Sequence, residues 1–79
     1  MQTYEFEVLL APDTVMDEDL ADRLFEAGCD DGLPGVSNGV PTVMFAREAE
    51  SLESAIRTAV ADVERAGCVV AEVRAGDSD

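Results

Sequence analysis

Carboxylates and two thiols are the side chains best equipped for chemistry in this chain, because it contains neither His nor Lys. General acid–base and nucleophilic catalysis need a poised group and a partner that orients it. Cys29 and Cys68 are the strongest nucleophiles available. Asp30 and Asp31 follow Cys29 directly, and nearby negative charge raises a thiol pKa and blunts its attack. A carboxylate pair acting on glycosides would need a deep cleft, for which 79 residues give little material. Cys29-Asp30-Asp31 offers oxygen ligands for a hard cation, yet no further ligand spacing recurs. Gly32-Leu33-Pro34-Gly35 and Asn38-Gly39 lack the GxxxxGK[ST] order of a phosphate loop and read as a bulge and a turn. The expectation is no enzyme, no cofactor and no metal.

Charge is the dominant compositional feature. Eighteen Asp and Glu face five Arg, for a formal net charge of −13. Phosphate backbones are bound through Lys and Arg, so direct binding of nucleic acid is disfavoured, as is an anionic membrane surface. A basic protein surface would be attracted, more strongly at low salt. Eight of the carboxylates, from Asp13 to Asp31, fall within nineteen residues, with Arg23 as their one counter-charge in sequence. Genome composition or a high-salt cytoplasm would also produce such acidity. No apolar stretch approaches the roughly 18–20 residues of a membrane span, and no signal peptide is read, so a cytoplasmic location is expected.

These groups must be positioned by a small set of elements. Tyr4, Phe6, Val8 and Leu10 alternate with Glu5, Glu7 and Leu9, the period of a half-buried strand, which Ala11-Pro12-Asp13 ends. Met16, Leu20, Leu24 and Ala27 recur at helical spacing, with Ala21 and Phe25 widening the stripe. Asp17 is its expected N-cap and Gly28 its stop. Residues 30–36 make a weaker strand, broken by Gly and Pro and therefore suited to an edge. Ser37-Asn38-Gly39 signals a hairpin into a strand over residues 40–47 with Val43 and Phe45 on one face. Ser51 caps a second helix with Leu52, Ile56, Ala59, Val60 and Val63 buried and Gly67 ending it. Glu53 and Arg57 pair at i, i+4 on its surface. Val69, Ala71 and Val73 alternate with Val70, Glu72 and Arg74 in a last strand.

Glu26-Ala27-Gly28-Cys29 and Arg65-Ala66-Gly67-Cys68 echo one another, each ending a helix before a strand. Two β-α-β halves predict an α+β, ferredoxin-like βαββαβ sandwich, with two helices on one face of a four-stranded antiparallel sheet. Right-handed crossovers put the first and third strands in the middle. Residues 1–75 form the domain and 76–79 a disordered acidic tail. The cysteines then begin opposite outer strands, too far apart for a disulfide, so both are expected free in a reducing compartment. The open sheet face carries Leu9, Met44 and Val70 amid Glu5, Glu7, Thr42, Glu72 and Arg74, and is the expected place for a homodimer contact.

The segment Leu24-Phe25-Glu26-Ala27-Gly28-Cys29-Asp30-Asp31, with Phe45-Ala46-Arg47-Glu48-Ala49 and a Ser51-capped helix, resembles a family of small bacterial and phage βαββαβ modules. The likeness covers residues 4–74. Some of those modules are fused to a helix-turn-helix, which implies a regulatory dimerisation or small-ligand-sensing role; this chain reaches Asp79 with no such helix. In size and charge it is also similar to small acidic anti-CRISPR proteins. The leading expectation is a non-enzymatic inhibitor or nucleic-acid mimic that docks on the basic, nucleic-acid-binding surface of a partner. Asp17, Asp19, Asp22, Glu26, Asp30 and Asp31 are its expected contacts.

Overall fold

The computed structural model describes residues 2–75; the expected tail at 76–79 lies outside the described residues. The chain runs β1 (Gln2–Leu10), α1 (Glu18–Glu26), β2 (Gly32–Ser37), β3 (Val40–Ala49), α2 (Leu52–Arg65) and β4 (Val70–Ala75). One antiparallel sheet has the order β2-β3-β1-β4, so the βαββαβ arrangement and the central first and third strands are as expected. β2 is an edge strand. Pro34 fits there because an edge can spare its missing N–H.

Both helices start and stop on local chemistry. The Asp17 carboxylate accepts from the Leu20 N–H at 2.9 Å, and the Ser51 hydroxyl oxygen accepts from the Ser54 N–H at 3.1 Å. At the other end of α1, Gly28 takes φ +116°; its N–H donates to Phe25 O while Cys29 N–H donates to Leu24 O. The second helix repeats the device with Gly67 at φ +94°, donating to Glu64 O, and Cys68 donating to Val63 O. This pair of reversed bonds closes a helix when a left-handed residue follows it, and an apolar residue just beyond commonly packs back on the last turn. Cys29 and Cys68 fill that place in each half, and both are buried. The sequence echo is therefore a repeated helix stop.

The core lies between sheet and helices. Phe6, Val8 and Leu10 of β1, Val43 and Phe45 of β3, Leu20 and Leu24 of α1, and Ala55, Ala59 and Val63 of α2 are buried there. The Phe6 and Phe45 rings stack with centroids 5.4 Å apart, having been set opposite one another by the strand register. Asn38 (φ 53°) and Gly39 (φ 79°) make the two-residue β2–β3 turn, the left-handed pair that matches strand twist.

Several expected placements differ; on α2, Val60 is only half-buried, and Ala55 takes a fully buried place in the stripe. Phe25 does not join the buried stripe of α1; it stands about 100° round the helix from Leu24 and is 65% exposed. In the last strand the register shifts between Leu9 and Leu10, whose partners are Glu72 and Val70, leaving Ala71 as an extra residue. Such a bulge breaks period-two alternation. Val70 and Val73 consequently both pack on the core, while Val69 and Ala71 are exposed. Val70 thus leaves the expected open-face set.

Gly28 tests the packing. A Cβ there would meet the Asp62 carboxylate at 2.9 Å, in a backbone region side chains rarely adopt, whereas a Cβ on Gly35 meets nothing within 4 Å. Gly28→Ala should cost about 2–3 kcal/mol. Gly35→Ala should stay within ~0.5 kcal/mol. Urea unfolding of both variants measures the difference.

Candidate functional surfaces

Few cations serve many carbonyls here. Each α-helix leaves its last carbonyls without intrahelical donors, and negative potential gathers there. Arg23 of α1 donates to Ala66 O, at the end of α2, at 3.3 Å; Arg65 of α2 donates to Ala27 O, at the end of α1, at 3.1 Å. The two helix ends thus exchange guanidinium caps. A third arginine, Arg47 of β3, donates to Gly28 O at 3.0 Å.

Arg47 is also the hub of a charged cluster between sheet and helices. Its Nε and one terminal nitrogen grip both oxygens of Asp31 at 2.8 and 2.9 Å, the fork-to-fork geometry that makes such pairs strong. The same guanidinium lies 3.1 Å from Asp62 and donates to the Thr58 hydroxyl oxygen, both on α2. It also sits 5.1 Å over the Phe45 ring. The hydrogen bond from Arg47 holds the Asp31 carboxyl below its ordinary value. Asp31 therefore has a counter-charge that is distant in sequence, and its carboxylate is already engaged.

The remaining expected contacts divide by environment. Asp17 is exposed and caps α1. Asp19, Asp22, Glu26 and Asp30 are exposed, and among the described residues none of them forms an ion pair. Asp19, Asp22 and Glu26 follow one another along α1 on its solvent side, opposite Leu20 and Leu24. Asp13, Asp17 and Asp19 also line a cleft of about 360 Å³ with Arg23, between the loop after β1 and the loop before β4. Among the described residues, no group of three acidic or cysteine side chains is arranged to hold a metal ion.

Both thiols are free and buried. Burial and then the Asp62 carboxylate push Cys29 up to about 11, with Arg47 opposing. Asp62 of α2, and not the adjacent Asp30, is the largest charge acting on it. Burial likewise raises Cys68, against Arg23. Neither is activated as a nucleophile.

The open sheet face is the other candidate. Strand pairing sets Leu33, Met44, Glu7 and Arg74 in one line across all four strands. Ala46 and Glu5 pair on one side of that line, and Gly35, Thr42, Leu9 and Glu72 cross on the other. Leu33 and Met44 are 71% and 52% exposed. A trough of about 910 Å³ runs over Leu33, Met44 and Ala46 and is edged by Glu5, Glu7, Asp30 and Arg74. Leu9 and Met44 lie where the sequence places them, whereas Leu33 comes from a stretch with no clear alternation.

Compared with protein-family models, curated proteins and solved structures, the chain gives no significant match to any of them. The segments Leu24–Asp31 and Phe45–Ala49 meet in space, where Arg47 of the second binds Asp31 and the Gly28 carbonyl of the first.

Arg47→Met would leave the Asp31 carboxylate and the Gly28 carbonyl without this donor and Asp62 with Arg65 alone, a loss of about 2–4 kcal/mol. Because Asp31 is lowered, its contribution is full above the ordinary carboxyl range and lost as pH falls through the lowered value. The gap between wild type and Arg47→Met in urea unfolding should therefore narrow from pH 7 to pH ~2.

The raised Cys29 works in the opposite sense. Its contribution is present below the ordinary thiol range and is lost as pH climbs towards about 11. At pH ~8 iodoacetamide should label native Cys29 about a hundredfold more slowly than the urea-unfolded chain. Peptide mass spectrometry provides the rate.

Proposed function

We propose that this chain is a non-catalytic binding protein whose acidic α1 surface docks on a basic, nucleic-acid-binding surface of a partner, in the manner of a nucleic-acid mimic or anti-CRISPR inhibitor. The observation that carries the reading is how the charges are used. Arg47 is largely buried against Asp31, Asp62 and the Gly28 carbonyl, the exposed Arg23 and Arg65 donate to helix-end carbonyls, and Arg57 and Arg74 pair with Glu53 and Glu72. Asp19, Asp22, Glu26 and Asp30 stay exposed without an ion pair among the described residues.

A row of fixed carboxylates along a helix offers a cationic groove what a phosphate backbone offers it, namely a line of acceptors of one sign. Rim charges of this kind govern encounter rate and salt dependence more than the close fit of a complex. Asp17 and Asp31 contribute field at either end of the row while keeping their structural partners. The same surplus repels bare nucleic acid, so the reading requires a protein partner.

The combined variant Asp19→Ala, Asp22→Ala, Glu26→Ala should weaken a captured basic partner by about tenfold and flatten the salt dependence of binding. Capture from native cells, competition with DNA and titration at two salt concentrations test it. Unchanged affinity in the triple variant, or retention of the chain on DNA alone, would rule the reading out.

A further inference from the structure

The trough on the open sheet face lies on the opposite side of the sheet from the helices, away from Asp19, Asp22 and Glu26 of α1; it shares only Asp30 with the exposed acidic groups named above. Its two halves differ. Over β2 and β3 the floor is apolar, with Leu33, Met44 and the small side chain of Ala46. Over β1 the neighbouring positions are Glu7, beside Met44, and Glu5, beside Ala46, with Asp30 at the β2 end. Neighbouring strands are about 4.8 Å apart, so apolar floor and acidic rim lie within one helix diameter of each other. Gly35 adds no side chain to the next line across the sheet, and the space above it is empty.

We propose that this trough is a docking site for a cationic amphipathic helix of a partner protein. Its apolar side chains seat on Leu33, Met44 and Ala46, and its Lys or Arg side chains answer Glu5, Glu7 and Asp30. Charge complementarity selects this occupant. A second copy of the chain would bring the same carboxylates face to face, since Arg74, the one cation at the trough among the described residues, already pairs with Glu72 at 3.1 Å. The trough is broad and open, so a small molecule would keep much of its surface in water, whereas good small-ligand sites enclose most of theirs. A helix laid across it reaches floor and rim together, which is how amphipathic helices are read in grooves. The proposal does not depend on Asp19, Asp22 or Glu26 of α1.

A labelled helical peptide of about 14 residues (~4 turns), with Leu on one face flanked by Lys, is the probe. Fluorescence anisotropy titrations against the intact chain give its affinity. Met44→Asp and Leu33→Asp should each weaken binding about tenfold. Glu5→Gln combined with Glu7→Gln should weaken it about threefold and flatten its salt dependence. The Asp19, Asp22, Glu26 triple-alanine variant should leave it unchanged, which separates this site from the α1 reading. Peptides with Lys→Glu or Leu→Ser should fail to bind, and these arms need no change to the protein. The proposal is overturned if the trough variants bind like wild type, if the triple variant alone loses the peptide, or if the altered peptides bind equally well. It is also overturned if sedimentation shows a dimer that Met44→Asp dissociates.

Discussion

Two helices point their C-termini at the same corner of this molecule, and the negative potential that gathers there must be answered by a chain with five cations. Arg23 and Arg65 cross from each helix to the carbonyl that ends the other, and Arg47 reaches the first helix end from the sheet. The rest of the arrangement follows from that corner. Asp31 fixes the entrance to β2 by holding Arg47, and Asp62 and Thr58 bring α2 to the same guanidinium. Gly28 must be glycine both for its backbone angle and because Asp62 occupies the space its side chain would need. The cysteines serve as the apolar residue that follows each helix stop.

This use of arginine has an electrostatic result at the surface. Arg47 is largely buried and Arg23 and Arg65 are held at the helix ends, so few cations are left to offset eighteen carboxylates and the exterior is acidic. The proposed α1 surface is the part of that exterior where the uncompensated groups are held in a row by regular helix geometry. The trough on the other side of the sheet adds a different chemistry, apolar floor beside acidic rim. Together they give the domain two faces of unlike chemistry, separated by its own core.

The fold was legible in the sequence because its signals are local: alternation in β1, the caps Asp17 and Ser51, the stops Gly28 and Gly67, and the Asn38-Gly39 turn. Each depends on neighbours within about five residues. The Arg47 cluster was not legible, because Asp31, Thr58 and Asp62 become its partners only after the strands and helices have packed. The orientation of Val70 was missed for a related reason. Ala71 looks like an ordinary strand residue, and nothing in its type announces that it will be left out of the ladder. Phe25 lies outside the buried stripe of α1, which is confined to Leu20 and Leu24, and its apolar type alone does not reveal this. Of the open face, Leu9 and Met44 could be read from alternation, while Leu33 sits among Gly and Pro residues that hide its phase.

The turn at Asn38-Gly39 bears on the order in which the sheet is assembled. It brings β2 and β3 together by closing a two-residue loop, an event of the microsecond class that needs nothing beyond the hairpin itself. β4 pairs only with β1, joining opposite ends of the chain, and such long closures forfeit more chain entropy before any contact rewards them. The hairpin is therefore the natural template and β4 the late addition.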